Sequence, residues 1–331
     1  MLVRLVYPEN WNNEGTLKQI PGVISSAQAN IGNITFTTEE VEEADLAVII
    51  NYTPKPLKIR ARETWIFHHE PGNYKLFGHW QKGYLYADKV FGSWRTTEKE
   101  KYPCSFKNLV RTQPSIFWQC PGTYDFYKNL VKPEKTTLLS AMTSSKTSLP
   151  GHRNRLEFLY ALKNEFKDTE LDFQILGRGI CNFNSKDDVL IPSKYTLAIE
   201  NTSEPHYFSE KITDAFLCNT MPIYFGAPNI FEYFPKNSLV YLEDLDIEKA
   251  KGIIKYTIEN NLYEKNLDSI LTAKNMVLNK YNLFMNIVEK ISEYDIKNKP
   301  VKDIFIPKRH QMRHPHLSKI KSKIKSKISR I

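Results

Sequence analysis

Short apolar runs bounded by turn or charged residues fill the first hundred positions. LVRLVYP (2–8), NITFTT (33–38), ADLAVIINY (44–52), ETWIFHHEP (63–71) and DKVFGSW (88–94) each predict a β-strand. A Pro- and aromatic-rich stretch at 112–135 reads as a connection between domains. The pattern then restarts with strand 136–144, helix 152–166 and strands 171–177 and 195–201. Next come a helix at 208–218, strands at 221–226 and 238–245, and helices at 247–262 and 266–291. Such alternation predicts an α/β fold with largely parallel sheets in two units, 1–135 and 136–300, and a tail at 301–331. The last helices are free to pack back on the first unit, and no internal repeat is visible.

Composition adds limits. With 331 residues, 41% hydrophobic and 25% charged, the chain has the make-up of a soluble globular protein of two domains. Runs such as LAVII (46–50) are far shorter than the ~20 residues of a spanning helix, and MLVRLVYPEN does not read as a signal peptide. The four cysteines (Cys104, Cys120, Cys181, Cys218) form no CxxC pair. Free thiols in a reducing cytoplasm are therefore expected, with no zinc and no disulfide framework.

The net charge of +9 is confined to one segment: residues 308–331 carry nine Lys and Arg and no acid, which leaves a neutral body. In HLSKIKSKIKSKISRI, Leu317, Ile320, Ile324, Ile328 and Ile331 fall on one helical stripe flanked by lysines. A basic amphipathic helix of this kind reads as a peripheral anchor on the inner, anionic face of a membrane. Nucleic acid binding would leave the isoleucine stripe without a purpose.

The densest chemistry lies in YTLAIENTSEPHYFSEK (195–211), where an apolar strand ends and a helix opens. Anions bind at the carboxyl ends of such strands, against helix N-termini. Lys211 adds a full charge there, and Glu210 is a partner for ribose hydroxyls; a solvated ion pair beside a helix start explains the same residues.

Residues 195–245 resemble the donor-binding segment of the α-1,3-fucosyltransferase family, matching at Glu200, Asn201, Tyr207, Glu210, Lys211, Pro222, Gly226, Pro228 and Asn229. Weaker similarity runs from about residue 62 to 290. The resemblance implies a GT-B type fold, two Rossmann-like domains facing a cleft, and inverting transfer of fucose from GDP-β-L-fucose to a glycan or lipid-linked oligosaccharide. It implies that Asn201, Tyr207, Glu210 and Lys211 line the nucleotide. It also puts a phosphate-binding arginine on Arg155, with Arg153 as its competitor. The segment WIFHHEPGNYKLFGHW implies a general base at Glu70. No metal is implied, because two fixed cations and helix amides suffice for the leaving diphosphate. The family's Gly-Glu-Asn reads His69-Glu70-Pro71 here, and Val-Thr-Glu-Lys reads Phe208-Ser209-Glu210-Lys211. Those departures leave open a transferase using another GDP-sugar. A non-catalytic glycan- or membrane-binding protein is the further alternative. His68, His69, Glu70 and His79 are a weak metal cluster, since neighbours on a strand face opposite ways. Asp244 and Asp246 read as helix caps rather than as a metal-binding Asp-x-Asp.

Overall fold

The computed structural model describes residues 1–8, 13–71, 86–93, 108–115, 117–171 and 173–307. His79, Cys104 and the stripe at 308–331 lie outside the described residues. The chain forms two units: Met1–Pro114 together with the chain from Ile287 onward, and Ser115–Asn286.

The sheet of the first unit is built from β1 (Leu2–Val6), β2 (Gln28–Ile31), β3 (Ile34–Thr37), β4 (Glu43–Ile50), β5 (Leu57–Phe67), β6 (Lys89–Gly92) and β7 (Leu109–Arg111). Its order is β2-β3-β1-β4-β5-β6-β7, parallel except where β2 joins β3. The central strand β4 is buried along almost its whole length, as expected where both faces of a parallel sheet are covered. β5 starts six residues before the run that predicts it. Its first half, LKIRAR, alternates Leu57, Ile59 and Ala61 with exposed or half-exposed charges, which masks the strand pattern. That half pairs with β13 (Lys302–Ile306), which runs antiparallel to it. Residues 302–306 were expected to belong to the tail; they are sheet, with Ile304 and Ile306 buried. The return is pinned by Lys299, which pairs with Glu63 while its carbonyl accepts from Arg62.

The second unit has the order β12-β11-β10-β8-β9, all parallel. The strands are β8 (Thr137–Met142), β9 (Ile175–Leu176), β10 (Ser193–Ile199), β11 (Met221–Phe225) and β12 (Val240–Tyr241). Helix Pro150–Phe166 joins β8 to β9, and helix Glu210–Leu217 joins β10 to β11. This unit starts at Ser115, not at 136. The stretch expected to be a linker buries Phe117, Trp118, Cys120, Tyr124 and Tyr127, most of them in the second core. Tyr127 lies edge-on to Trp118, and Thr123 caps the short helix Tyr124–Asn129. Pro and aromatic residues imitate a linker in composition while supplying core. The helix expected over 266–291 is two, Leu267–Asn279 and Leu283–Glu293. Asn282 divides them, its carboxamide oxygen accepting from the amides of Phe284 and Met285. A cap hidden inside an apolar periodicity leaves no Gly or Pro signal. Both units are α/β with parallel sheets, the fold class that the pattern of runs predicts.

Candidate functional site

From β8 the chain crosses to β9 on one side, whereas β10 lies on the other side of β8. The connections diverge there, and such a switch point opens a crevice at the carboxyl ends of the strands. Helix Pro150–Phe166 starts on one side of it, and β10 ends at Ile199 on the other. Arg155, buried on that helix, donates from Nη1 to Asn201 Oδ1 at 2.5 Å. Gly151 makes the approach feasible: a Cβ there would sit 1.8 Å from the carbonyl oxygen of Asn201. Arg153 is exposed and, among the described residues, donates to the carbonyl of Thr147 at 3.0 Å. Of the two arginines, Arg155 is the buried one and the one that reaches the end of β10.

Glu200, fully buried at the end of β10, organises the second helix start. One carboxylate oxygen accepts from the amide of Ser209 at 2.7 Å and its hydroxyl at 2.6 Å, and the other from Lys211 Nζ at 2.9 Å. Ser209 is the N-cap of helix Glu210–Leu217 and also accepts from Lys211 Nζ at 2.8 Å. Gly226 leaves room for this carboxylate; a Cβ would lie 2.8 Å from Glu200 Cγ. Burial pulls the Lys211 ammonium down, yet Glu200 and Glu210 carry it above the ordinary lysine range. Burial likewise raises the Glu210 carboxyl, but Lys211 and Lys186 pull it down to about 2. Glu210 is therefore an anion that keeps its acceptor lone pairs at neutral pH. Tyr207 is buried just before the cap, with its amide on the carbonyl of Glu204.

The two helix starts differ in sign. Helix Glu210–Leu217 has a side-chain cap and an acid in its first turn. Helix Pro150–Phe166 has neither, so its positive end is uncompensated. His152 there is lowered by burial and then by the charges of Arg155, Lys146 and Lys211, which places four basic groups together. Lys146 and His152 were not singled out from sequence; TSSKTSLPGHRNR, a polar loop opening a helix that starts with Pro, is the signal that could have found them.

In the first unit, Glu70 follows the carboxyl end of β5 and is half-buried. The backbone around it is fixed: Asn51 Oδ1 accepts from the His69 amide at 2.7 Å, and the His68 amide donates to the carbonyl of Phe91. His68 is buried and held neutral, first by desolvation and then by His69. Asp246 is the N-cap of helix Ile247–Glu259, and Asp244 pairs with Lys249 at 2.7 Å, so both serve that helix start. The fold also joins thiols that the sequence scatters. Cys120 and Cys218 lie 3.9 Å apart beside Asp187, whose two carboxylate oxygens share the single hydroxyl proton of Tyr127.

No family model matches the chain. The α-(1,3)-fucosyltransferase FucT of Helicobacter pylori is 37% identical over 76 residues, 23% of this chain and 16% of that protein. The α-(1,3)-fucosyltransferase B of Drosophila melanogaster is 31% identical over 100 residues, 29% of this chain and 22% of that protein. The chain thus aligns with less than a quarter of the length of either relative, and its sequence resembles the α-1,3-fucosyltransferase family. Among solved structures, an Escherichia coli trehalose-6-phosphate protein bound with UDP-2-fluoro glucose matches with a TM-score of 0.56 at 8% identity. That match covers 91% of this chain and all of the other, and it identifies the fold as the GT-B type. A crystal structure of α1,3-fucosyltransferase with GDP-fucose matches with a TM-score of 0.45 at 17% identity, over 84% and 92% of the two chains.

Proposed function

We propose that this chain transfers fucose from GDP-fucose to a hydroxyl of a glycan acceptor, with inversion and an α-1,3-type linkage. The observation that carries the reading is the contact of Arg155 with Asn201 at the switch point, among Lys146, His152 and Lys211. A buried guanidinium beside an uncompensated helix start suits a diphosphate. In this assignment the diphosphate takes the end of helix Pro150–Phe166, and Glu210 accepts from the ribose hydroxyls. Lys211 is held by Glu200 and Ser209 and acts on the diphosphate as a fixed charge. As the sugar–phosphate bond breaks, the leaving oxygen gains negative charge. Fixed cations that need no reorganisation stabilise it.

Glu70 is assigned as the general base that takes the proton of the attacking hydroxyl. Its half-buried position at a strand's carboxyl end, on a backbone fixed by Asn51, supports that role. No metal enters this scheme, and turnover is expected to persist under exhaustive chelation. The basic stripe at 308–331 is assigned to an anionic membrane surface, on the inner face of which the enzyme would work.

The reading is tested by GDP release from GDP-fucose, measured with and without a panel of neutral glycan acceptors. Acceptor-dependent release of GDP, with a fucosylated product, supports it. Calorimetric binding of GDP-fucose without turnover on any acceptor points to a binding protein, and preference for another GDP-sugar moves the donor.

A further inference from the structure

A second polar site lies in the first unit, on a face of the sheet. Leu2, Arg4 and Val6 alternate onto one side of β1. The links from β3 to β4 and from β4 to β5 are bare loops, residues 38–42 and 51–56, rather than helices. They leave a cavity of about 490 Å³ whose walls include Arg4, Tyr7, Thr38, Glu40, Lys55 and Lys58. Three prolines, Pro8, Pro54 and Pro56, stiffen its rim.

Arg4 is the unexpected member. It is only 8% exposed, and its Nη1 is buried with no hydrogen-bond partner among the described residues. Leaving a buried donor of a charged group unmade costs more than leaving a neutral one, so native proteins seldom tolerate it. Glu39 and Glu40 are near enough to act on Arg4 electrostatically, yet neither takes a hydrogen bond from Nη1. Glu40 is committed to Lys55 on the exposed rim. Among the described residues, the cavity wall itself carries three cations, Arg4, Lys55 and Lys58, and one carboxylate, Glu40. An apolar cavity would not need the arginine, and a purely structural arginine would be paired.

We propose that this cavity binds the anionic group, a carboxylate or a phosphate, of a saccharide. Arg4 Nη1 lacks one acceptor, which an oxygen of either group supplies. The volume exceeds that of an inorganic anion and accommodates sugar rings, whose hydroxyls meet Thr38, Tyr7 and Glu40. The saccharide half of the assignment rests on the transferase reading; the anionic half rests on the cavity alone.

The test is calorimetry of the full chain with methyl β-glucuronide, glucose 6-phosphate and neutral methyl β-glucoside. Saturable binding of either anion, tighter than the neutral sugar by about tenfold or more, is expected. Glucuronide alone would mark a carboxylate site, glucose 6-phosphate alone a phosphate site. Arg4→Met should weaken that binding by about tenfold, and Lys58→Ala by a few-fold. Lys58 is exposed, so its variant carries the test if Arg4→Met does not fold. Equal affinity for neutral and charged sugars, no saturable binding of either anion, or binding unchanged in the variants overturns the proposal. Acceptor-dependent GDP release is scored separately: its failure with anion binding intact would remove the transferase and leave the cavity.

Discussion

Arg155 and Asn201, 46 residues apart, meet across the switch point at 2.5 Å. One comes from the helix after β8 and the other from the end of β10, so the contact forms only when both βα units are folded against each other. It turns a mobile cation into one aimed in advance. Arg155→Ala should weaken GDP binding by roughly 10–100-fold, the range of one to two charge-assisted hydrogen bonds. Arg153→Ala, which loses only a contact to the carbonyl of Thr147, should change it less than about twofold. Calorimetry with GDP separates the two, and the reverse ranking would move the phosphate role to Arg153.

Glu200 and Lys211 form a buried pair with two hydrogen bonds from Ser209 attached. Glu200→Gln should destabilise the second unit by about 3–5 kcal/mol, because the ammonium is left without its counter-charge. The double variant Glu200→Gln/Lys211→Met should recover part of that loss while still binding GDP poorly. Urea midpoints read the first effect and calorimetry the second.

Glu70→Gln should keep GDP-fucose affinity and lower turnover by roughly 10²–10⁴. If turnover is near normal, another group takes the proton.

Lys135 and Lys274 carry a pH signature. Lys135 donates to the carbonyls of Ile191 and Cys218, Lys274 to that of Leu130, with no carboxylate among those partners. Burial lowers Lys135 from 10.5 to about 7 and Lys274 to about 8. Above pH 7 the unfolded chain therefore binds more protons at these sites than the folded one, so stability rises with pH. Near about pH 8.5 the trend is opposed by Cys120 and Cys218, whose thiols burial pushes up and which ionise first in the unfolded chain. Between about pH 6.5 and 8.5, wild type should gain on the order of 1 kcal/mol relative to Lys135→Met. Urea denaturation across that window measures it; parallel curves would show that Lys135 keeps its ordinary protonation.

Removal of 308–331 should abolish co-sedimentation with anionic vesicles and leave transfer to a short soluble acceptor almost unchanged. Salt should weaken binding of the intact chain. The cut has to follow Pro307, whose carbonyl accepts from Thr53 at 3.1 Å. Co-sedimentation of the shortened chain would put the membrane contact elsewhere.

Most of the second unit was legible because its strands are buried on both faces and read as continuous apolar runs, YTLAI and MPIYF among them. The residues near 200–211 stood out through the resemblance and through a strand end beside a helix start, and the two departures there have structural roles. Ser209 supplies the cap hydroxyl that a threonine would, and Phe208 is buried among Tyr233, Phe234 and Tyr281. What could not be read were contacts that fold back over long separations. Glu200 looked like the end of a strand, Cys120 and Cys218 looked unrelated, and Arg4 looked like one charge in an apolar strand. Their meaning depends on which atoms stand opposite, and no local period records that.

The return of the chain to complete the first sheet sets an order of assembly. Residues 115–286 are contiguous, so the second unit has all its parts as soon as that stretch has left the ribosome. The first unit has to wait. Until Lys302–Ile306 emerges, the first half of β5 keeps an open edge, and Glu63 lacks Lys299. An unpaired edge on a nascent sheet invites pairing with a neighbouring chain. The protein is thus most exposed to aggregation late in synthesis, and a chain halted shortly before residue 300 should be handled by the cell as misfolded even though its second unit is complete.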